Sequence, residues 1–286
     1  MEKIISKGVE MKGKLYLVAT PIGNLEDITL RAIRILKEAD LIVAEDTRHT
    51  LQLLNHLEIA KTMISYQRHS DDKRKEEIIE KLLEGKNIAL VTDAGTPGIS
   101  DPGEEIVEEA IKNDIKIVPI PGACALICAL ISSGMDTKEF TFIGFLPMNN
   151  KNRKEKLKEI KFATNTTIIY EAPHKLKETL KDLKEILYDR KIVLAHEMTK
   201  IHESFEQGTV DEIIENTQDP KGEYVIIIEK NQKLNNENQD LNSLSLDEHY
   251  KYYEKIGYQN KEIIKQIAKD RNVAKNEIYQ YFIKNK

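Results

Sequence analysis

Apolar residues along the chain fall into short blocks that alternate between a strand pattern and a helical one. Leu15-Tyr16-Leu17-Val18-Ala19 reads as a strand and runs into the turn-forming stretch Thr20-Pro21-Ile22-Gly23-Asn24-Leu25. Leu30, Ile33 and Leu36 then recur at helical spacing, and Leu41-Ile42-Val43-Ala44 is a second strand with the polar exit Glu45-Asp46-Thr47-Arg48-His49. A helix near 73–84 leads to a third strand, Ile88-Ala89-Leu90-Val91, and a helix near 103–112 to a fourth, over 115–120. Unbroken apolar strands alternating with amphipathic helices predict an α/β fold with a parallel, doubly wound sheet.

The third strand opens into a long loop, Thr92 to Gly103. Gly95, Gly98 and Gly103 allow backbone conformations that other residues avoid, while Pro97 and Pro102 fix φ and remove two N–H groups. Such a loop is stiff and lets a ligand come close. Asp101, Pro102 and the pair Glu104-Glu105 fit an N-cap, a first-turn proline and an acidic first turn. Three polar exits at the carboxyl ends of neighbouring strands are where open α/β sheets bind ligands.

Past another exit, Pro121-Gly122-Ala123, a small-residue helix over 123–133 ends at Gly134. Strands are predicted over 140–146, 166–170, 191–196, 203–208 and 224–229, with helices near 152–162, 173–187 and 210–216. A hairpin around Thr199-Lys200-Ile201 makes this second sheet mixed. The expected division is a parallel α/β domain over 1–121, a mixed α/β domain over 122–230, a linker over 231–245 rich in Asn, Gln and Ser, and a small basic helical domain over 246–286. In the last of these, Ile263, Ile264 and Ile267 share one helix face and Ile278, Tyr279 and Phe282 a second, in a helix-turn-helix or a plain helical hairpin.

Composition narrows the chemistry. At 286 residues the chain can bury cores for two such domains. It has no run of about eighteen apolar residues and no signal-peptide core, so the expectation is a soluble cytoplasmic protein. Net charge is −5, yet the stretch from Lys251 to Lys286 holds nine Lys or Arg against four Asp or Glu. A basic tail on an acidic body can meet nucleic acid locally. Cys124 and Cys128 sit one helical turn apart, which suits a helix face and not a disulfide framework, and the histidines show no ligand spacing, so no metal is expected. Neither a Walker A loop, a G-x-G-x-x-G fingerprint nor a G-x-S-x-G elbow occurs. What remains is a set of Gly, Pro, Thr, Ser and Asp loops suited to a polar cofactor held by backbone groups.

Six stretches, in this order, carry a resemblance: Ala19-Thr20-Pro21-Ile22-Gly23-Asn24-Leu25, Glu45-Asp46-Thr47-Arg48, Asp93 to Gly103, Pro121-Gly122-Ala123, Gly144-Phe145-Leu146-Pro147 and Tyr170-Glu171-Ala172-Pro173-His174. Over about residues 14–230 the chain resembles the tetrapyrrole methylase superfamily, and most closely its ribosomal RNA small subunit methyltransferase I branch. That branch methylates the 2′-oxygen of a cytidine in the decoding region of 16S ribosomal RNA. The basic C-terminal helices resemble the small helical domain of the branch.

The resemblance implies a class III methyltransferase of two α/β domains with S-adenosylmethionine in the cleft between them, a homodimer, and 16S RNA or the assembled small subunit as partner. By motif position, Pro21, Gly95, Thr96, Ile99 and Ser100 would meet the cofactor from the first domain, Cys124 and Ala125 from the following helix start, and Phe145, Tyr170 and Met198 from the second domain. Two positions depart from the family: Ala19 stands where Gly is usual, which tightens the space by one methyl, and Lys175 stands where Arg is common.

A 2′-hydroxyl is a poor nucleophile until its proton leaves, so a base or acceptor must stand near the sulfonium. Glu45, Asp46, Asp101, Glu171, His174 and Glu197 are placed for this on polar exits, with Asp46 and Asp101 favoured as catalytic, although a capping role explains Asp101 as well. Arg48, Arg68, Lys73, Arg74 and Lys75, together with the run Lys151, Arg153, Lys154, Lys156, Lys158 and Lys161, are placed to bind RNA phosphates; Arg48, Lys151, Arg153 and Lys154 are singled out. The rival readings are a methyltransferase of the same architecture acting on a tetrapyrrole or other small molecule, and a ribosome-binding protein without catalysis.

Overall fold

A computed structural model describes residues 12–67, 72–232, 241–242, 244–255 and 258–284. The first half runs β1 (Lys14–Val18), α1 (Leu30–Glu38), β2 (Leu41–Ala44), α2 (Thr47–His56), β3 (Met63–Ser65), α3 (Asp72–Leu83), β4 (Ile88–Val91), α4 (Glu104–Lys112) and β5 (Lys116–Ile120). Its strands form one parallel sheet in the order β3-β2-β4-β1-β5. Every residue of β2 and β4 is buried, because helices cover both faces. Alternate side chains divide between those faces. Leu15, Val43 and Leu90 pack with Ile78, Leu82 and Ile106 from α3 and α4, whereas Val18, Ile42 and Ala89 pack with Leu36 and Leu54 from α1 and α2. Pro119 is tolerated in β5 because that strand lies at the sheet edge and pairs with β1 alone. Leu30, expected on the inner face of α1, is 87% exposed; Ala32, Ile35 and Leu36 form the buried face.

The second half continues with α5 (Ala125–Ser132), β6 (Phe140–Phe145), α6 (Asn150–Lys161), β7 (Thr166–Glu171), α7 (Pro173–Leu187), β8 (Lys191–His196), β9 (Ser204–Thr209), α8 (Val210–Asn216) and β10 (Tyr224–Ile228). The sheet order is β6-β7-β10-β8-β9, with β6 and β7 parallel and the other pairs antiparallel. This is the mixed sheet expected from the hairpin. Thr209 and Glu212 form a capping box that fixes the start of α8, and Pro173 starts α7. Helices α6, α7 and α8 cover one face of this sheet around Leu176, Leu180 and Ile226. The other face is covered by Leu126, Ala129 and Leu130 of α5, which pack on Ile168, Val193 and Val225. Thus the helix that leaves the first sheet roofs the second.

Three helices follow where two were expected: α9 (Leu246–Lys255), α10 (Asn260–Asp270) and α11 (Lys275–Lys284). They bury Tyr253, Ile263, Ile264, Ile267 and Ile278, while Tyr279 is half exposed. Contact with the second half includes a Lys158–Glu262 ion pair at 2.8 Å and Phe162 against Tyr258, ring centroids 4.1 Å apart. At the head of the expected linker, Asn231 is buried and donates its N–H to the Ala163 carbonyl at 2.8 Å, so the second half extends to it. Most of the rest of that linker, 233–240 and 243, lies outside the described residues, as does Arg68. No helix among the described residues is long and apolar enough to cross a membrane.

Candidate active site

The strand exits of the first sheet are bonded into one edge. Thr20 and Gly95 exchange backbone hydrogen bonds of 2.9 and 3.1 Å, joining the loops after β1 and β4. The Thr20 hydroxyl donates to the Thr92 carbonyl at 3.2 Å, and the Asp46 N–H donates to Asp93 Oδ1 at 3.0 Å, which adds the loop after β2. Thr96 Oγ1 then donates to the Ala123 carbonyl at 3.0 Å and ties this edge to the start of α5. Gly95 holds φ at +84°, and a Cβ there would come within 3.2 Å of the Ile22 side chain. The methyl of Ala19 fills the room beside Gly122, where a Cβ would lie 2.8 Å from it.

Helix α4 does not start as expected. Its N-cap is Gly103 at φ +151°, and Asp101 lies two residues before the cap, because Pro102 and Gly103 carry the chain round a further bend before the first helical turn. Asp101 is thereby left in the wall of a cavity.

The opposite wall belongs to the second sheet. A bulge in β6 places Gly144 at φ +75° and re-aims Phe145, whose ring meets Tyr170 edge-on at 5.8 Å. The Tyr170 phenol oxygen accepts a hydrogen bond from the Leu126 N–H at 3.1 Å, and burial pushes its pKa up, so the phenol stays neutral. Between the walls lies a cavity of about 470 Å³, a size suited to a small ligand.

Of the residues expected to meet a cofactor, Gly95, Thr96, Ile99, Ser100, Cys124, Ala125, Phe145 and Tyr170 line this cavity. Pro21 and Met198 do not; both are buried, and Met198 packs with Ile22 and Leu126 behind the wall. The lining also holds Glu45, Asp93, Glu171, Glu223, Tyr224 and Val225. The last three were not anticipated, because attention to strand exits misses β10, which runs antiparallel to β7 and brings its amino end to the cleft.

Two expectations are corrected. Asp46 is absent from the lining; its carboxylate caps α2 through the Arg48 N–H at 2.8 Å and pairs with the Arg48 guanidinium at 2.6 Å. Those bonds hold its pKa down to about 2, which makes it a weak proton acceptor, and they engage the otherwise exposed Arg48. Arg153 does not face solvent. Its side chain is 10% exposed, with Nε donating to Asp182 at 2.7 Å and Nη2 to Thr179 at 2.9 Å. The buried face of α6 is Arg153, Leu157 and Ile160, at helical spacing, so a signal was present inside the lysine run. Lys151 and Lys154 are exposed, whereas Arg74 and Lys75 pair with Glu77 and Asp72.

A model of the family described as Tetrapyrrole (Corrin/Porphyrin) Methylases matches residues 14–214. A protein of Halalkalibacterium halodurans named ribosomal RNA small subunit methyltransferase I is 50% identical over 274 residues, 95% of each chain. Its namesake in Bacillus subtilis is 47% identical over 277 residues, again 95% of each. The chain belongs to the tetrapyrrole methylase family, in its ribosomal RNA small subunit methyltransferase I branch.

Solved structures of tetrapyrrole methylase fold agree at lower identity. A diphthine synthase superposes with a TM-score of 0.62 at 15% identity, covering 77% of this chain and 90% of that one. A uroporphyrin-III C-methyltransferase of Thermus thermophilus, solved with S-adenyl homocysteine, gives 0.54 at 17%, covering 76% and 97%. A branch relative from Thermotoga maritima is 45% identical and matches over 98% of its own length but 76% of this chain.

Proposed function

We propose that this tetrapyrrole methylase transfers a methyl group from S-adenosylmethionine to the 2′-hydroxyl of a cytidine ribose in 16S ribosomal RNA, at position 1402. The observation that carries the reading is the cavity lined by Gly95 of the Thr20–Gly95 bridge, in a chain that matches its Halalkalibacterium halodurans and Bacillus subtilis relatives over 95% of their length.

The residues present fit such a donor. Ile22, Ile99, Phe145 and Val225 offer apolar contact, the loop at Gly95 offers backbone groups, and Glu45, Asp93, Asp101, Glu171 and Glu223 bring carboxylates to the lining. When bound, the donor supplies a sulfonium methyl whose leaving group is already activated. The chain's part is alignment, and loops locked by reciprocal hydrogen bonds hold geometry with little reorganisation. Asp101, in the wall, is the acceptor for the 2′-hydroxyl proton. Lys151 and Lys154 on the outer face of α6, with the net-basic helices α10 and α11, hold RNA phosphates. In this reading two domains, 1–121 and 122–231, enclose the cavity, the enzyme works in the cytoplasm as a homodimer, and the assembled small subunit is its partner.

The test is transfer of labelled methyl from the donor to small subunits purified from cells lacking the protein, followed by mass spectrometry of the ribose. Label at that cytidine is the expected result. Label on a corrinoid precursor and none on RNA would establish the small-molecule reading, and donor-independent subunit binding without transfer the non-catalytic one.

A further inference from the structure

Five carboxylates line the cavity, at Glu45, Asp93, Asp101, Glu171 and Glu223, and among them Glu171 is the buried one, 3% exposed. A carboxylate so placed is costly unless its oxygens are bonded. Its Oε1 accepts from the Ala172 N–H at 2.9 Å, at the start of α7, where the helix dipole also favours negative charge. Its Oε2 accepts from the Thr179 hydroxyl at 2.6 Å.

The direction of that second bond is forced. Arg153 Nη2 donates to Thr179 Oγ1 at 2.9 Å, and a guanidinium has no acceptor, so the hydroxyl's single proton points at Glu171. Asp182 fixes the guanidinium in turn, at 2.7 Å. The chain Asp182–Arg153–Thr179–Glu171 therefore fixes the orientation of the Glu171 carboxylate, on a residue of the cavity wall that keeps acceptor capacity beyond these two bonds.

We propose that Glu171 is a binding residue for the methyl donor, accepting a hydrogen bond from its ammonium or ribose hydroxyls, and that Arg153 and Thr179 are positioning residues that set the carboxylate's orientation. This rests on the donor named above.

The test is calorimetric titration of the full chain with S-adenosylhomocysteine and with 5′-methylthioadenosine, which lacks the ammonium, alongside thermal melting. Thr179→Val is expected to weaken S-adenosylhomocysteine about tenfold, as loss of a charge-assisted hydrogen bond does. Thr179→Ser, which keeps the hydroxyl, restores wild-type affinity, and Glu171→Gln weakens binding at least as much as Thr179→Val. Loss confined to S-adenosylhomocysteine assigns the ammonium; loss shared by both probes assigns the ribose. If Thr179→Val or Glu171→Gln lowers the melting temperature while both affinities stay at wild type, the relay is structural and the proposal is overturned. Should Thr179→Val not fold, Glu171→Gln decides by the same criterion. A wild-type chain that binds neither probe overturns the donor reading instead, which is a separate result.

Discussion

The phenol oxygen of Tyr170, on β7, accepts the backbone N–H of Leu126 at 3.1 Å, in the first turn of α5. Cys124 stands at the N-cap of α5 and makes no side-chain cap bond. A strand of the second sheet thus caps the helix that arrives from the first, and the cap lies in the cavity wall.

Removing that hydroxyl leaves an orphaned N–H at the start of α5. Tyr170→Phe is expected to lower stability by about 1 kcal/mol, the usual worth of a cap. Urea unfolding followed by tyrosine fluorescence checks this; an unchanged midpoint would show that water replaces the bond.

Gly95 and Gly98 carry similar left-handed backbones, at φ +84° and +80°, yet a Cβ at Gly98 meets nothing within 4 Å while one at Gly95 meets Ile22 at 3.2 Å. Alanine at either site costs about 1 kcal/mol or more of backbone strain. Only Gly95→Ala should also weaken S-adenosylhomocysteine binding, because Ile22 lines the cavity. Equal affinities for the two variants in a calorimetric titration would contradict this.

The assignment of Asp101 in preference to Asp46 as proton acceptor separates cleanly. Asp101→Asn is expected to lower kcat by about a hundredfold or more while donor affinity persists, since an amide cannot take the proton. Asp46→Asn should keep most of kcat and lose the pairing with Arg48. Single-turnover methyl transfer to small subunits distinguishes them, and the reverse ranking would return the role to Asp46.

On α6, Lys151→Glu with Lys154→Glu should weaken RNA binding and reduce the salt slope by roughly 0.7 per lost phosphate contact. Arg153→Glu acts differently: it puts a second carboxylate beside the half-buried Asp182, leaves the buried Thr179 without its cation, and should cost about 3 kcal/mol of stability. Filter binding over a salt series, with melting curves, reads both effects; a double lysine variant with an unaltered slope removes the phosphate role.

His249, fully buried in the C-terminal helices, bonds Asp270 through Nε2 at 3.2 Å and accepts from Arg271 at Nδ1 at 3.2 Å. Burial, and then the Arg271 charge, lower its pKa below 6.5, against the pull of Asp270. The unfolded chain therefore binds the proton first, and the stability of α9 to α11 is full above 6.5 and falls as pH drops below it. Hydrogen exchange of the α10 amides between pH 7.5 and about 5.5 should show faster opening at the acid end, lost in His249→Gln. A pH-independent exchange pattern, after correction for intrinsic rates, would refute it.

What the sequence by itself determined is the set of local elements and the loops that matter. The bounds of α7 and α8, the buried strands β2 and β4, and the Asp93-to-Gly103 turn follow from periodicity, proline, capping and glycine chemistry, which act over a few neighbouring residues. Where local signals are weak the reading failed. Thr47–His56 is largely polar and Met63–Ser65 is three residues long, so α2 and β3 emerge only when packed against β2. Tertiary structure alone decided which charges face the cavity: it turned Arg153 inward onto Thr179, paired Asp46 with Arg48, and brought Glu223 into the lining at the start of a strand running the other way. A charge's role depends on what faces it across space, and that partner lies tens of residues away along the chain.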